Sequence, residues 1–251
     1  MALEQALTER YGLSHTRIAD PLDAMSVQPQ VARCAADLIA SECRLDSVVA
    51  VSNGRSVSST IAALPDLHLP RTRVVQMIGS TPYSDMMHDS SETCRQIALK
   101  LGGSLVTLPT PLIVSNAAAA RSLMSIPQVR SVLAESARAD IALVGVGAVH
   151  DGCSGSIFSG VESAGLAAQL IRRGAVAHIC GHHIDATGAH VETSLCHRTI
   201  AVTPETLRAI PLVVAVAWGA DKVPATRALL AGGYLHALVT DRDTAIALAS
   251  D

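Results

Sequence analysis

Aromatic side chains are nearly missing from this chain, which holds one tryptophan, one phenylalanine and three tyrosines. Nucleic-acid binding by base stacking needs aromatic platforms, so that class is excluded. Lysine is also scarce: of 19 basic residues only Lys100 and Lys222 are lysines, and chemistry that needs a primary amine has few candidates. Positive charge is not in excess either. The formal charge of −3 argues against an isolated DNA-binding domain, which neutralises phosphates with clustered Lys and Arg. No apolar run reaches the ~18 residues of a membrane span, and the polar start MALEQALTERYG is not a signal peptide. The six cysteines, Cys34, Cys43, Cys94, Cys153, Cys180 and Cys196, include no CxxC pair. That scatter reads as reduced thiols in a cytoplasmic protein.

What remains is an aliphatic chain of 251 residues, 49% hydrophobic and 16% charged. At about 100–200 residues per domain this makes one large domain or two small ones, with length for a real core. Val/Ile-rich runs at 47–51, 73–78, 105–108, 141–146, 175–180, 198–202, 212–217 and 237–240 read as strands. They are continuous, as in parallel strands buried on both faces. Helical stretches alternate with them at 28–43, 56–64, 90–101, 117–124, 128–137, 160–173, 222–231 and 244–250. The rhythm predicts an α/β fold with an open, mostly parallel sheet flanked by helices. Asp241 is placed to cap the last helix, and Ser90 with Thr93 to satisfy the start of its own. Loops 81–89, 148–159 and 184–191, rich in Gly, Ser, His or Asp, follow predicted strands. Ligands of open sheets bind outside the carboxyl ends of the strands, so the three loops are expected to converge on one site.

Several constellations could carry chemistry. Ser52-Asn53-Gly54-Arg55-Ser56-Val57-Ser58-Ser59 follows a strand and opens a helix; a glycine turn, hydroxyls and free N–H groups there form an anion cradle, to which Arg55 adds charge. It has no Walker A or GxGxxG pattern, and an ordinary turn with serine caps is the alternative. Gly219-Ala220-Asp221-Lys222 places a lysine after a strand, able to meet a phosphate or, desolvated, a carbonyl; a surface lysine beside an Asp221 cap is the alternative. Gly145-Val146-Gly147 lets backbone approach a ligand, although a lone GxG is weak evidence of a nucleotide site. Six of ten histidines fall between His150 and His197, among them His178, His182, His183 and His190, with Cys180 and Cys196 near. No HExxH or CxxC fixes a metal geometry, and a solvated or ligand-lining cluster is expected instead. No GxSxG elbow occurs; Gly152-Cys153-Ser154-Gly155 merely resembles one.

Short motifs also stand in a recognisable order: Val74-Val75-Gln76 with Gly79; Leu108-Pro109-Thr110-Pro111; Asp140 through Gly147; Gly174-Ala175-Val176; Ile179-Cys180-Gly181 with Asp185 and Gly188; Ile210-Pro211; Gly219 with Lys222; and Leu238-Val239-Thr240-Asp241 with Ala245. This order resembles the sugar-binding, effector-sensing domain of the SorC family of bacterial transcriptional regulators, from about Leu7 to the end. The resemblance implies a fold like that of glucosamine-6-phosphate deaminase and ribose-5-phosphate isomerase. It also implies a phosphorylated sugar as ligand, no cofactor or metal, a homodimer or homotetramer, and operator DNA as partner through an attached helix-turn-helix domain. By it, Gly54, Arg55 and Ser56 cradle phosphate, Gln76 and Gly79 flank the sugar, Asp185 accepts from sugar hydroxyls, and Lys222 meets phosphate or an open-chain carbonyl; Asn53 and Gly147 are expected to bind the ligand beside them. The chain departs from the family pattern at Ser52-Asn53, Ala177-His178 and His182-His183, which leaves the sugar open, phosphorylated or not.

The first 25 residues hold too little for a helix-turn-helix, so residues 1–251 are expected to be the effector domain alone, with the DNA-binding domain outside this chain. The leading expectation is a non-enzymatic sensor. The alternatives are a sugar-phosphate isomerase or deaminase, with Lys222 or Asp185 as acid/base and His182 or His183 assisting, and a pure oligomerisation module.

Overall fold

The computed structural model describes residues 2–20, 27–81, 89–150, 156–158 and 165–250. Its strands are β1 (His15–Ala19), β2 (Val48–Val51), β3 (Arg73–Gln76), β4 (Ser104–Val106), β5 (Ile141–Gly145), β6 (Gly147–Ala148), β7 (Ala175–Ile179), β8 (His182–Asp185), β9 (Leu212–Val216) and β10 (Ala237–Asp241). Its helices are α1 (Ala2–Tyr11), α2 (Val27–Glu42), α3 (Arg55–Ala63), α4 (Ser90–Leu101), α5 (Ala117–Ser125), α6 (Pro127–Ser136), α7 (Leu166–Arg172), α8 (Pro204–Ala209), α9 (Val223–Ala231) and α10 (Arg242–Ala249).

Seven strands form one parallel sheet in the order β1-β10-β9-β5-β2-β3-β4. Side chains alternate across it, and both faces are covered. Val49, Val51, Ile141, Leu143, Val214 and Val216 pack with Val31, Ala35, Leu38 and Ile39 of α2 and Val57 and Ile61 of α3. On the other face Ala50, Ala142, Val144, Val213 and Ala215 pack with Ala228 and Leu229 of α9 and Leu248 of α10. Each fully buried Val, Leu or Ile contributes roughly 1.5–3 kcal/mol relative to exposure, so the run of aliphatic strands offsets the shortage of aromatics.

Two features position the site. From β2 the chain proceeds outward to β3 and β4, then returns to lay β5 on the opposite side of β2. Neighbouring strands whose connections depart in opposite directions leave a crevice beyond their carboxyl ends. In addition, β6, β7 and β8 form a separate antiparallel sheet beside that crevice. Its β7–β8 hairpin turns on Cys180 and Gly181, with φ of 50° and 86°; two positive φ values suit a tight hairpin turn.

The structure departs from the sequence expectations at four places. Ala175–Ile179 does form a strand, with Cys180 already in the turn, but it pairs antiparallel in the small sheet, since a continuous apolar run does not reveal its partner. Residues 198–202 form no strand: a 3-10 turn covers Cys196–Arg198, and only single bridges, Ile113 to Thr199 and Ile78 to Ala201, follow. The expected loop 184–191 begins inside β8, whose histidines disguise a strand. The cap of α4 is Asp89, whose carboxylate accepts the Ser91 N–H, while buried Ser90 bonds the Gly79 carbonyl. Residues 82–88, most of 151–159, the helix start at 160–164, and Cys153 lie outside the described residues.

Candidate functional site

A cavity of about 410 Å³ opens at the carboxyl ends of β2, β5 and β9. One wall is the start of α3. Gly54 precedes the helix with φ 113° and no side chain caps it, so the first-turn N–H groups lack intrahelical acceptors and carry the positive end of the helix dipole. Arg55 and Ser56 line the cavity beside them. Helix α3 reaches this position because residue 145 is glycine: a Cβ there would stand 2.9 Å from Ser56 Oγ. Asn53 also lines the cavity, its amide donating to Thr81 Oγ1 at 3.2 Å.

The facing wall follows β9. Trp218, Gly219, Asp221 and Lys222 line it. Gly219, with φ 95°, donates its N–H to Asp241 Oδ2 at 3.1 Å and Thr244 Oγ1 at 2.9 Å, which ties the lysine turn to the cap of α10. Lys222 Nζ stands 3.9 Å from the exposed carboxylate of Asp221, a separation and exposure at which an ion pair contributes little.

The floor is Gly147 against His178. The two are register partners of β6 and β7, and the His178 ring occupies the space a Cβ on Gly147 would take. Phe158 packs edge-on against the same ring, centroids 5.2 Å apart. Burial, reinforced by His183 and Lys222, holds His178 well below the ordinary imidazole range, so it is neutral at physiological pH. The unfolded chain binds this proton near pH 6.5 and the folded one does not. The stability linked to His178 is therefore full above about pH 6.5 and falls with acidification, by up to ~1.4 kcal/mol per pH unit. Melting curves from pH 7.5 to 5.5 should show that slope, and His178→Asn should flatten it; an unchanged slope assigns it elsewhere.

Of the residues singled out in the sequence, Asn53, Gly54, Arg55, Ser56, Gly147 and Lys222 meet on this cavity, and Gln76, Gly79 and Asp185 do not line it among the described residues. Gln76 is buried, with Nε2 donating to the Ile78 carbonyl at 2.9 Å and Ser90 Oγ at 2.8 Å while Oε1 accepts the Leu108 N–H at 3.0 Å. Gly79 gives its N–H to the Ile200 carbonyl at 2.9 Å, and a Cβ there would meet the Pro111 and Leu112 backbone at 2.5 Å. Asp185 closes the turn after β8, accepting from Thr187 Oγ1 at 2.7 Å and from the Thr187 and Ala189 N–H groups at 2.9 Å each. The Thr187 hydroxyl and these N–H groups hold its carboxyl below the usual range. His182 and His183 also lie off the cavity wall, as does loop 184–191, whereas His178 and Cys180 line it. Trp218 escaped the sequence reading, although a lone tryptophan directly after an apolar strand was the available signal.

An open parallel sheet with a polar, cation-bearing cavity at its switch point defines a small-molecule-binding domain. The family profile described as "Putative sugar-binding domain" matches residues 1–250. The transcriptional regulator LsrR of Klebsiella pneumoniae subsp. pneumoniae is 31% identical over 257 residues, covering 100% of this chain and 77% of that protein. The erythritol catabolism regulatory protein EryD of Brucella abortus is 29% identical over 250 residues, covering 98% of this chain and 78% of its own. Among solved structures, the full-length sorbitol operon regulator SorC from Klebsiella pneumoniae superposes with a TM-score of 0.92 at 24% identity, over 99% of this chain and 80% of that one. This chain belongs to the sugar-binding domain family of SorC-type transcriptional regulators, the part of such regulators that senses the effector. The relatives are regulators, and the enzyme reading finds no support in them; of its candidate acid/base groups Lys222 lines the cavity, while Asp185, His182 and His183 do not.

Proposed function

We propose that the cavity binds a phosphorylated sugar, and that occupancy alters the grip of an attached helix-turn-helix segment on operator DNA. The observation that carries this reading is the convergence of the uncapped α3 N-terminus, Arg55 and Lys222 on one cavity. Backbone N–H groups at a helix start and two cations are what a phosphate dianion requires. Trp218, His178 and Asn53 supply apolar and hydrogen-bonding surface for the sugar ring. The protein acts in the cytoplasm as a homodimer or homotetramer, and its DNA contact lies outside these residues. To move a regulator from 1:99 to 99:1 between its two states, the sugar must prefer one of them by about 5.5 kcal/mol.

The test compares a panel of sugar phosphates with the free sugars by isothermal calorimetry. Arg55→Ala and Lys222→Ala should each weaken a phosphorylated ligand by about tenfold, the loss of one charge-assisted hydrogen bond, and leave the free sugar nearly unaffected. Equal weakening of both forms removes these residues from phosphate recognition. A panel without any binder sinks the reading.

A further inference from the structure

A second cluster, off the cavity wall, surrounds Cys196, which opens the 3-10 turn Cys196–Arg198. Its Sγ lies 3.6 Å from His190 Nε2 and accepts the Thr193 N–H at 3.4 Å, with the Thr193 hydroxyl at 3.8 Å. The Val191 carbonyl, 3.7 Å away, can accept from the neutral thiol. The His182 ring stands edge-on to His190, with centroids 5.2 Å apart. His182 is 8% exposed, and its Nε2 meets the Val202 carbonyl at 2.9 Å. With that nitrogen donating, Nδ1 keeps a lone pair, and among the described residues it is buried with no fully formed hydrogen bond. A half-buried thiol is thus placed between two imidazoles able to take its proton and an N–H able to stabilise the sulfur anion. Neither His190 nor Cys196 lines the cavity.

We propose that Cys196 is a modification site for hydroperoxides, with His190 as the proton carrier. The Cys196 thiolate attacks one peroxide oxygen; an S–O bond forms as the O–O bond breaks. Sulfur is oxidised to the sulfenic acid, the peroxide is reduced, and the departing hydroxide, or alkoxide from an organic hydroperoxide, takes the His190 proton to leave as water or alcohol. Burial alone would push the Cys196 thiol up, but His182, His190 and Thr193 outweigh it and bring the thiol down to about 5. His190 is raised in turn, first by its bond to Cys196, with Glu192 and Glu205 adding negative charge nearby. The other described cysteines go the opposite way: burial pushes Cys43 and Cys180 up to about 12 and raises Cys94 and Cys34. Selectivity among the thiols follows from this contrast, since the thiolate is the nucleophile.

The experiment exposes the whole chain to hydrogen peroxide, and separately to iodoacetamide, from pH 5 to 9, with each cysteine followed by peptide mass spectrometry. A thiolate of low basicity is a weaker nucleophile, which at pH 7 nearly cancels its larger ionised fraction. The decisive reading is therefore taken at pH 5.5, where Cys196 should react about tenfold faster than Cys34. Its alkylation profile should have a midpoint near 5. His190→Gln should shift that midpoint toward the ordinary thiol value of about 8.5, and Cys196→Ser should abolish the low-pH signal. A wild-type midpoint at the ordinary value, or no preference for Cys196 at pH 5.5, overturns the proposal without any variant. A folded His190→Gln protein with an unmoved profile removes His190 from the chemistry.

Discussion

Gly147→Ala is expected to destabilise the domain by about 1–3 kcal/mol, the cost of overpacking a filled core, and at this size to lower Tm by about 3–10 °C. The added methyl group would occupy the place of the His178 ring. That ring has little freedom to retreat, because His178 is buried against Phe158 and His183. Since Gly147 and His178 both line the cavity, ligand affinity should fall with stability. Differential scanning calorimetry supplies the first number and titration calorimetry the second. A double-mutant cycle identifies the cause: in a His178→Ala background the ring is gone, and Gly147→Ala should then cost little. Additive losses in the cycle would show that the clash is not the reason.

Asp241→Ala should cost about 1–3 kcal/mol: the helix loses its N-cap and the buried Thr244 N–H is left unpaired, while the Gly219 N–H keeps only Thr244 Oγ1. Asp241 Oδ1 accepts the Thr244 N–H at 3.0 Å, while Oδ2 accepts from Thr244 Oγ1 at 2.6 Å and from the Gly219 N–H at 3.1 Å. One carboxylate therefore caps α10 and also anchors the turn that presents Lys222. Asp241→Asn separates the two roles. Its amide oxygen can still cap the helix, but its NH₂ group cannot accept from Gly219, so stability should fall less than in the alanine variant while affinity for a phosphorylated sugar still drops. Chemical denaturation and calorimetry on both variants provide the check, and an asparagine variant with wild-type affinity would confine Asp241 to the helix cap. Acid should act in the same direction. Burial raises this carboxyl, but Thr244 and Gly219 outweigh burial and hold it below the usual range. Its contribution is thus present above the unfolded value of about 3.9 and is lost as pH falls through the lower native one.

The central sheet was legible because its strands are aliphatic runs bounded by glycines and polar caps; α4 has the bounds the sequence predicted, and Asp241 caps α10 as expected. Strand β1 went unseen because His15, Thr16 and Arg17 break the apolar pattern, as an edge strand with one neighbour allows. Helix α8 was missed despite a readable start, with Thr203 as cap and Pro204 in the first turn. That residues 53–56, the proposed anion cradle, and Lys222 meet on one cavity could be anticipated because each follows a strand of the parallel sheet. The Gly147–His178 pairing could not, since cross-strand register in a small antiparallel sheet depends on contacts between segments some thirty residues apart. Gln76 and Asp185 carry side chains suited to sugar hydroxyls, yet groups of their own chain engage both polar atoms of Gln76 and Oδ1 of Asp185. Residue type alone does not distinguish these two uses.

The shortage of aromatics has a practical side. Trp218 is the one tryptophan in the chain, and it lies on the cavity wall next to the glycine that leads to Lys222. Its indole emission is therefore an intrinsic optical signal of occupancy, without background from a second fluorophore of its kind. A ligand filling the cavity should change the surroundings of the indole and shift its emission, so the domain can be titrated unlabelled.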